Sequence, residues 1–266
     1  MFSNDELERY SRQILLREIG VAGQQKLKNA KVLLIGAGGL SAPAATYLAA
    51  AGVGTIGLCD SDTVELSNLQ RQILYGSEAL GEQKTDAARR RLADLNPGVQ
   101  VRTHKMLAQP GTILPLIAQY DFILDGTDNF AAKFLINDAC VLAQKPFCHA
   151  GVTKFSGQLM TWVPDVDGPC YRCVFREIPP PMATCKQGVV GAVVGVIGCL
   201  QALEVIKYFT GIGKLLTGKL LVFNALEGDF QQTKLPAALH SCPVCGHAPS
   251  ITTLHPAHYP VSACEI

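Results

Sequence analysis

The sequence lacks an excess of charge of either sign. It has 23 lysines and arginines against 22 aspartates and glutamates, a formal net charge of +1, and only 17% charged residues. Such a balance gives no global field that would gather nucleic acid or an anionic membrane surface. We therefore expect no nucleic acid and no membrane among the partners of this chain.

A long hydrophobic run and an export signal are also lacking. The longest charge-free apolar stretch, residues 188–200, contains four glycines and falls short of the roughly 20 residues that a membrane span needs. The first residues have neither the basic segment nor the apolar run of a signal peptide, so we expect no secretion. No repeat with a period of roughly 20 to 50 residues is present, which argues against solenoids and propellers.

Cysteine, in contrast, is abundant: the chain has ten. Two Cys-x-x-Cys pairs, Cys170 with Cys173 and Cys242 with Cys245, have the spacing of a four-thiolate zinc site. A closed four-sulfur site has no open position, so we expect this metal to be structural. The alternatives are two redox dithiols, disfavoured because no thioredoxin-like pattern surrounds them, or disulfides, disfavoured in the reducing cytoplasm that we expect for this chain.

Apolar strand-like runs alternate with helical segments up to about residue 150. The predicted strands lie near residues 31–35, 55–59, 99–104, 122–126 and 146–150, with helices between them and an amphipathic helix over 4–19. This alternation predicts an α/β fold with a doubly wound, Rossmann-like, mostly parallel sheet. Beyond residue 151, runs at 154–163, 220–223 and 231–235 predict a C-terminal antiparallel portion.

The same patterns suggest a division of the chain. We predict a nucleotide-binding half over residues 1–150, which includes an N-terminal helical arm, and a zinc-containing second half of the same domain over 151–249. Residues 250–266 contain Pro256 and Pro260 and are predicted to form a flexible tail. Four glycines at 188, 191, 195 and 198 predict a helix that another backbone approaches closely, in the core or, less favoured, at a dimer contact.

A glycine cluster after the first strand predicts a nucleotide site. Gly36, Gly38 and Gly39 precede a helix, where backbone N–H groups can approach a phosphate. Asp60 ends the next strand, where an acidic side chain reaches a ribose hydroxyl. The alternatives are a tight turn with a solvent-facing Asp60, or the site of a NAD-dependent oxidoreductase, although Ser41 replaces the expected third glycine or alanine.

Two cations and an acid follow this glycine loop and favour ATP chemistry. Cleavage between the α- and β-phosphates needs cations such as Arg71 and Lys84, whereas hydride transfer does not. Asp128 follows the fourth strand and could hold Mg²⁺ on the triphosphate. The alternatives are solvated surface charges for Arg71 and Lys84, and a helix N-cap for Asp128.

Five segments in this order resemble the ThiF/MoeB/HesA family, bacterial relatives of the ubiquitin-activating enzymes. They are Arg9-Tyr-Ser-Arg-Gln13, Gly36-Ala-Gly-Gly39, Ser67-Asn-Leu-Gln-Arg-Gln72, Asp125-Gly-Thr-Asp-Asn-Phe130 and Cys170-Tyr-Arg-Cys173. The resemblance covers nearly the whole chain. It implies that ATP adenylates the C-terminal glycine of a ubiquitin-like sulfur carrier, bound by the second half, with release of pyrophosphate.

The resemblance also implies roles for individual residues. Gly39 and Asp60 would hold the phosphates and the ribose, and Arg71 and Lys84 would neutralise the phosphates. Asp128 would serve Mg²⁺, with Asn129 beside it. Further nucleotide-lining residues would be Ser67, Asn68, Leu69 and Gln70. Arg12 would be an arginine finger that reaches the partner subunit's site, which implies a homodimer with two shared active sites.

The carrier and the sulfur chemistry are less defined by the sequence. Three segments look closer to ThiF, of the thiamine pathway, than to MoeB: Pro43-Ala-Ala45, Phe155-Ser-Gly-Gln-Leu-Met160 and Thr184-Cys-Lys-Gln-Gly-Val-Val190. We therefore predict a ThiS-type carrier, with a MoaD-type carrier as the alternative. No rhodanese domain is apparent, so we expect a separate sulfur donor. Cys185 corresponds to a family cysteine that can form an acyl disulfide; the alternative is a spectator thiol.

No catalytic histidine is predicted. A substrate carboxylate is already an anion near neutral pH and needs no general base. His104 and His149 are therefore interpreted as hydrogen-bonded polar groups at strand ends.

Overall fold

One eight-stranded sheet organises the fold. The computed structural model describes residues 2–164, 166–178 and 188–260. The strands are β1 (Lys31–Ile35), β2 (Thr55–Cys59), β3 (Gln100–His104), β4 (Phe122–Asp125), β5 (Phe147–Thr153), β6 (Ser156–Trp162), β7 (Lys219–Asn224) and β8 (Asp229–Lys234). Their order in the sheet is β3-β2-β1-β4-β5-β6-β7-β8. Pairing is parallel from β3 to β5 and antiparallel from β5 to β8, which confirms the predicted fold class.

Helices cover both faces of this sheet. They are α1 (Asn4–Arg9), α2 (Ser11–Ile14), α3 (Gly20–Asn29), α4 (Ser41–Ala50), α5 (Lys84–Leu95), α6 (Ile113–Ile117), α7 (Phe130–Leu142), α8 (Tyr171–Phe175) and α9 (Gly191–Thr210). Val32 and Leu34 of β1 face α3, α4, α5 and α9, whereas Leu33 and Ile35 face α6, α7 and α8. Burial on both faces explains why the parallel strands are continuous apolar runs.

The predicted single helix over residues 4–19 is wrong. The chain leaves the helix at Tyr10, which separates α1 from α2. Tyr10 is buried, and its hydroxyl accepts a hydrogen bond of 2.9 Å from the side chain of Asn96. This tertiary anchor outweighs the local helical periodicity. After α2 the chain turns again and enters α3 at Gly20, whose φ is +57°.

The glycine-rich helix α9 is part of the core. A Cβ atom on Gly198 would lie 2.3 Å from the carbonyl oxygen of Leu40, so only glycine allows this approach to the loop that follows β1. Although α9 is long and apolar enough to cross a membrane, its buried Gln201 and Glu204 form hydrogen bonds inside the fold. The described contacts therefore agree with the predicted core role of these glycines.

The sheet runs without interruption across the boundary predicted near residue 150. Strand β5 runs through residue 150, and the sheet continues into the second half, so the division stays a prediction. Ile251 and Tyr259 are buried, and the Tyr259 hydroxyl donates a hydrogen bond of 2.8 Å to Asp138. Residues 250–260 are thus anchored on the core and differ from the predicted flexible tail, whereas 261–266 lie outside the described residues.

Candidate active site

A cavity of about 930 Å³ lies at the carboxyl ends of the parallel strands. It opens where the strand order reverses, between β2 on one side of β1 and β4 on the other, which is where ligands bind in open α/β sheets. Nine of the predicted nucleotide-site residues line it: Gly36, Gly38, Gly39, Asp60, Gln70, Arg71, Lys84, Asp128 and Asn129. The fold therefore brings together most of the candidate site.

The glycine loop after β1 is held in a defined conformation. Gly36 has a φ of +86°, and a Cβ atom there would lie 2.9 Å from the carbonyl oxygen of Gly126. Ser41, where the expected motif has a small glycine or alanine, is fully buried and donates a hydrogen bond of 2.5 Å to the carbonyl oxygen of Gly36. Ser41 therefore closes the loop, and its hydroxyl group is satisfied.

Asp60 is half-buried beside this loop. Its Oδ2 atom accepts a hydrogen bond of 2.7 Å from the backbone N–H of Ala37, and its Oδ1 atom accepts one of 2.8 Å from that of Asp62. Asp60 thus fixes the glycine loop and the start of the next segment. Each carboxylate oxygen can accept a further hydrogen bond, so the predicted contact with a ribose hydroxyl is compatible with this geometry.

Two predicted cations lie in the cavity wall. Lys84, at the first position of α5, has a side chain only 8% exposed, and its Nζ atom donates a hydrogen bond of 2.8 Å to Asp62. Arg71 is half-buried and donates a hydrogen bond of 3.1 Å to the carbonyl oxygen of Ser67. Neither side chain is a fully solvated surface charge, which was the alternative interpretation.

Three residues predicted to line the nucleotide do not line the cavity. Ser67 and Asn68 belong to a short 3₁₀ helix over Leu66–Asn68, and Leu69 follows it. Asn68 turns its side chain back to the helix start, where its Oδ1 atom accepts a hydrogen bond of 3.3 Å from Glu65. This segment contacts Arg71 through the Ser67 carbonyl group, which accepts the hydrogen bond from the guanidinium.

Two roles were considered for Asp128, a Mg²⁺ ligand and a helix N-cap, and the structure gives the N-cap role to Asn129. The Oδ1 atom of Asn129 accepts a hydrogen bond of 2.9 Å from the backbone N–H of Ala132, so Asn129 is the N-cap of α7. Asp128 is exposed at the rim of the cavity. Its carboxylate is the kind of hard oxygen ligand that Mg²⁺ prefers, so the residue fits a magnesium ion bound with a triphosphate.

A buried polar cluster that the sequence did not reveal lies beneath this rim. Lys133 of α7 donates three hydrogen bonds, to Asp125 at 3.1 Å and to the carbonyl oxygens of Thr127 and Ala150, both at 2.7 Å. The Nδ1 atom of His149 lies 2.9 Å from the same Oδ2 atom of Asp125. A lysine within an apolar helix and a histidine within an apolar strand were the available signals, but their meeting depends on the tertiary fold.

The buried cluster shifts two pKa values. Burial opposes the ionisation of Asp125, but Lys133 and the hydrogen bond from His149 outweigh it and lower the pKa of Asp125 to about 2. Burial lowers the pKa of His149 to about 4 against the opposing effect of Asp125, so His149 is neutral at pH 7.

The interpretation of His149 as a satisfied polar group is wrong for one of its nitrogens. His149 is 1% exposed, and its Nε2 atom has no hydrogen-bond partner within the described ranges, nor does the buried Tyr171 hydroxyl group. Both residues line the cavity. His104 does meet the expectation, because its Nε2 atom lies 2.7 Å from the Tyr120 hydroxyl.

One predicted catalytic residue lies elsewhere. Arg12, on α2, is exposed and does not line the cavity of its own chain. Such a position is compatible with an arginine that acts on a second subunit. Cys185 lies outside the described residues, so its role as a covalent intermediate stays a prediction.

The four predicted zinc ligands converge. The sulfur atoms of Cys170, Cys173, Cys242 and Cys245 all lie within 4.8 Å of one another. The sulfur atoms are 3.9 Å apart for Cys170 and Cys173, 3.7 Å for Cys170 and Cys242, and 3.4 Å for Cys173 and Cys245. A tetrahedral zinc ion with bonds of about 2.3 Å needs sulfur separations of about 3.8 Å, so these residues fit the metal.

Comparison with known proteins defines the family. The ThiF family matches residues 10–244. The "Adenylyltransferase and sulfurtransferase MOCS3" proteins of Culex quinquefasciatus and Sus scrofa are 47% and 46% identical to the chain, over 95% of its length. The chain spans only 58% and 56% of these two relatives. Both names include adenylyltransferase, which is the predicted enzyme class.

Solved structures support the same assignment. E. coli MccB bound to MccA-N7isoASN has a TM-score of 0.81 and 28% identity, over 92% of this chain and 76% of that one. E. coli MccB with ATP has a TM-score of 0.79 and 27% identity, over 92% of this chain and 75% of that one. Together with the glycine loop and residues 126–130 at one cavity, these matches show that the chain belongs to the ThiF family.

Proposed function

We propose that this chain is an ATP-dependent adenylyltransferase that activates the C-terminal carboxylate of a ubiquitin-like sulfur carrier. The observation that carries the proposal is the convergence of the glycine loop, Arg71, Lys84 and Asp128 on one cavity at the switch point of the sheet. The names of the MOCS3 relatives and the ATP complex of MccB support it.

The proposed reaction needs positioning and charge neutralisation. A carboxylate oxygen of the carrier attacks the α-phosphorus of ATP, the bond from this phosphorus to the bridging α–β oxygen breaks, and pyrophosphate leaves with that oxygen. Arg71 and Lys84 stabilise the negative charge that grows on the phosphates. Mg²⁺, held by Asp128, would supply further positive charge. No residue has to remove a proton from the substrate, since the carboxylate is ionised near neutral pH.

For the carrier, the comparisons favour the alternative that the sequence left open. Relatives at 46–47% identity are named MOCS3, which supports a MoaD-type carrier of molybdopterin synthesis. The preference for a ThiS-type carrier rested on three short sequence segments and has no support among these relatives. We therefore propose a MoaD-type carrier as the main substrate.

A competition experiment tests the function and the carrier together. The protein is incubated with MgATP and equal amounts of MoaD-type and ThiS-type carriers, and intact mass spectrometry then measures the adenylate on each. We expect adenylate mainly on the MoaD-type carrier. Adenylate mainly on the ThiS-type carrier would reverse the choice of substrate, and adenylate on neither would contradict the function.

We further propose a homodimer in which Arg12 completes the partner subunit's site. The segment next to Arg12 exposes two leucines, Leu15 and Leu16, which are 74% and 51% exposed. Apolar side chains exposed beside a predicted finger residue support a subunit contact there. Within this proposal, the chain carries out activation, and a separate donor delivers the sulfur.

We also propose that the four-cysteine cluster holds a structural zinc ion. Three of the four cysteines are buried, and the sulfur separations fit a tetrahedral metal. All four ligand positions would be taken by sulfur, so the ion would have no part in the chemistry. A reducing cytoplasm, which we propose as the location, would keep these thiols available for the metal.

A further inference from the structure

The orphaned nitrogen of His149 has a defined hydrogen-bonding character. Asp125 is ionised and therefore only accepts hydrogen bonds, so the Nδ1 atom of His149 must carry the proton of the bond between them. The neutral ring then presents a lone pair at Nε2. This acceptor is buried, lines the cavity and has no partner among the residues that the structure describes. It is suited to a ligand that brings an N–H or O–H group.

The surface beside His149 suits an extended peptide. His149 and Gly151 lie two residues apart on β5 and so share a face, and Gln158 of β6 is paired opposite Gly151. A Cβ atom built on Gly151 would lie 3.8 Å from the Nε2 atom of His149 and 3.5 Å from that of Gln158. The space above Gly151 is therefore flanked by an acceptor and an amide, which matches the N–H and C=O groups of a peptide bond.

The topology places this surface on the acyl side of the cavity. Asp60, the predicted ribose ligand, follows β2, whereas β4, β5 and β6 follow one another on the other side of β1. A nucleotide that runs from Asp60 to the glycine loop brings its α-phosphate toward β1 and leaves the β5–β6 side free. The carboxylate that attacks this phosphate must then approach across Gly151 and His149.

We propose that His149, Gly151 and Gln158 form the subsite for the last peptide group of the carrier's tail, with His149 Nε2 accepting a hydrogen bond from the N–H of the terminal residue. The inference rests on the proposed function and adds to it a residue that determines specificity. Gly151 would allow the tail backbone to approach, and a bulky terminal side chain would compete for the same space. Tyr171, whose ring centroid lies 4.4 Å from that of His149, helps to fix the imidazole.

A double-mutant cycle between protein and carrier tests this hydrogen bond. Semi-synthesis supplies a carrier whose terminal glycine is N-methylated and so lacks the N–H group. With the wild-type protein, we expect N-methylation to lower kcat/KM for adenylation about 10-fold, because a buried acceptor loses its partner. His149→Ala should lower kcat/KM about 10-fold with the normal carrier and show little further loss with the methylated one. His149→Gln, which restores an acceptor, should recover part of the activity.

Several results separate failure of the subsite from failure of the function. Equal losses on methylation in wild-type protein and His149→Ala, or no loss in wild-type protein, would overturn the subsite while adenylation persists. In His149→Ala, an increase in the KM for ATP rather than in the KM for the carrier would also overturn the subsite, because that result would place His149 on the nucleotide side. No adenylation of the unmodified carrier by wild-type protein would overturn both proposals. If His149→Ala folds poorly, the comparison of kcat/KM for the normal and the methylated carrier with wild-type protein still tests the subsite.

Discussion

At the scale of single residues, the cavity contains two kinds of charged groups. Arg71, Lys84 and Asp128 lie along its wall and rim, where a triphosphate can contact them. Asp125 and Lys133 are paired beneath, with side chains only 2% and 8% exposed. For the first group, we propose that Arg71 and Lys84 neutralise charge on the substrate and that Asp128 holds Mg²⁺. The second group holds the ends of β4 and β5 in place and fixes the proton position on His149.

The lowered pKa of His149 gives a pH-dependent stability. Its pKa is about 4 in the folded protein and 6.5 in an ordinary environment, so the unfolded chain binds the proton more tightly. The free energy of unfolding should therefore fall by about 3 kcal/mol as the pH decreases from 6.5 to 4. Urea unfolding at several pH values measures this slope. His149→Gln should show a shallower slope, and an unchanged slope in this variant would contradict the assignment.

At the scale of elements, helix α7 fixes the loop that carries Asp128. Lys133 bonds to Asp125 at the end of β4, to Thr127 within the loop and to Ala150 in β5. One side chain thus connects a helix, two strands and the segment before Asp128. We infer that Lys133 is a positioning residue for the rim.

Removal of this lysine should destabilise the protein strongly. Lys133→Met leaves the buried carboxylate of Asp125 without its cation, which should cost about 3 to 5 kcal/mol in the free energy of unfolding. Urea denaturation measures the loss. The double variant Lys133→Met with Asp125→Asn should recover part of it, because the unpaired charge is removed. A loss below about 1 kcal/mol in the single variant would show that the ion pair is not important for the fold.

The alternating strands and helices could be predicted from the sequence, whereas features that depend on tertiary contacts could not. The β2 bounds were predicted as observed, because buried parallel strands are short apolar runs that end at turns. The helix over 4–19 failed at Tyr10, whose hydroxyl group bonds to Asn96, far along the chain. The glycine loop was recognisable from adjacent residues. The Asp125, Lys133 and His149 cluster was not, because its members come from three separate elements.

At the scale of the whole molecule, the cysteine cluster ties two distant parts of the chain together. Cys170 and Cys173 belong to the region of α8, and Cys242 and Cys245 follow β8. Beside them, Arg172 forms a buried ion pair of 2.7 Å with Asp138 of α7. A metal ion here would therefore fasten the C-terminal segment to one face of the sheet.

Metal analysis with matched cysteine variants tests this role. Protein purified without chelators should contain about one zinc ion per chain. Cys242→Ser should lose the metal and unfold at lower temperature, whereas Cys199→Ser, a half-buried cysteine outside the cluster, should keep it. Zinc retained in full by Cys242→Ser, or far less than one ion in the wild-type protein, would contradict the proposal.

Mixing two inactive variants tests the shared active site. Arg12→Ala and Asp128→Ala dimers should each be inactive, but after subunit exchange each mixed dimer has one site with both residues intact. Random exchange should therefore restore about a quarter of the wild-type activity, because half of the dimers are mixed and half of their sites are complete. An arginine that acts within its own chain would give no recovery.

Pyrophosphate exchange into ATP, measured with labelled pyrophosphate and each carrier in turn, tests whether the chain activates a carrier by adenylation. We expect exchange that requires the carrier and its C-terminal carboxylate. Arg71→Ala and Asp128→Ala should each lower exchange about 10²-fold or more, because they remove stabilisation of the transition state. The exposed Arg91→Ala should retain exchange. Near-wild-type exchange in Arg71→Ala and Asp128→Ala would remove their assigned roles, and no exchange in the wild-type protein with either carrier would rule out the proposed function.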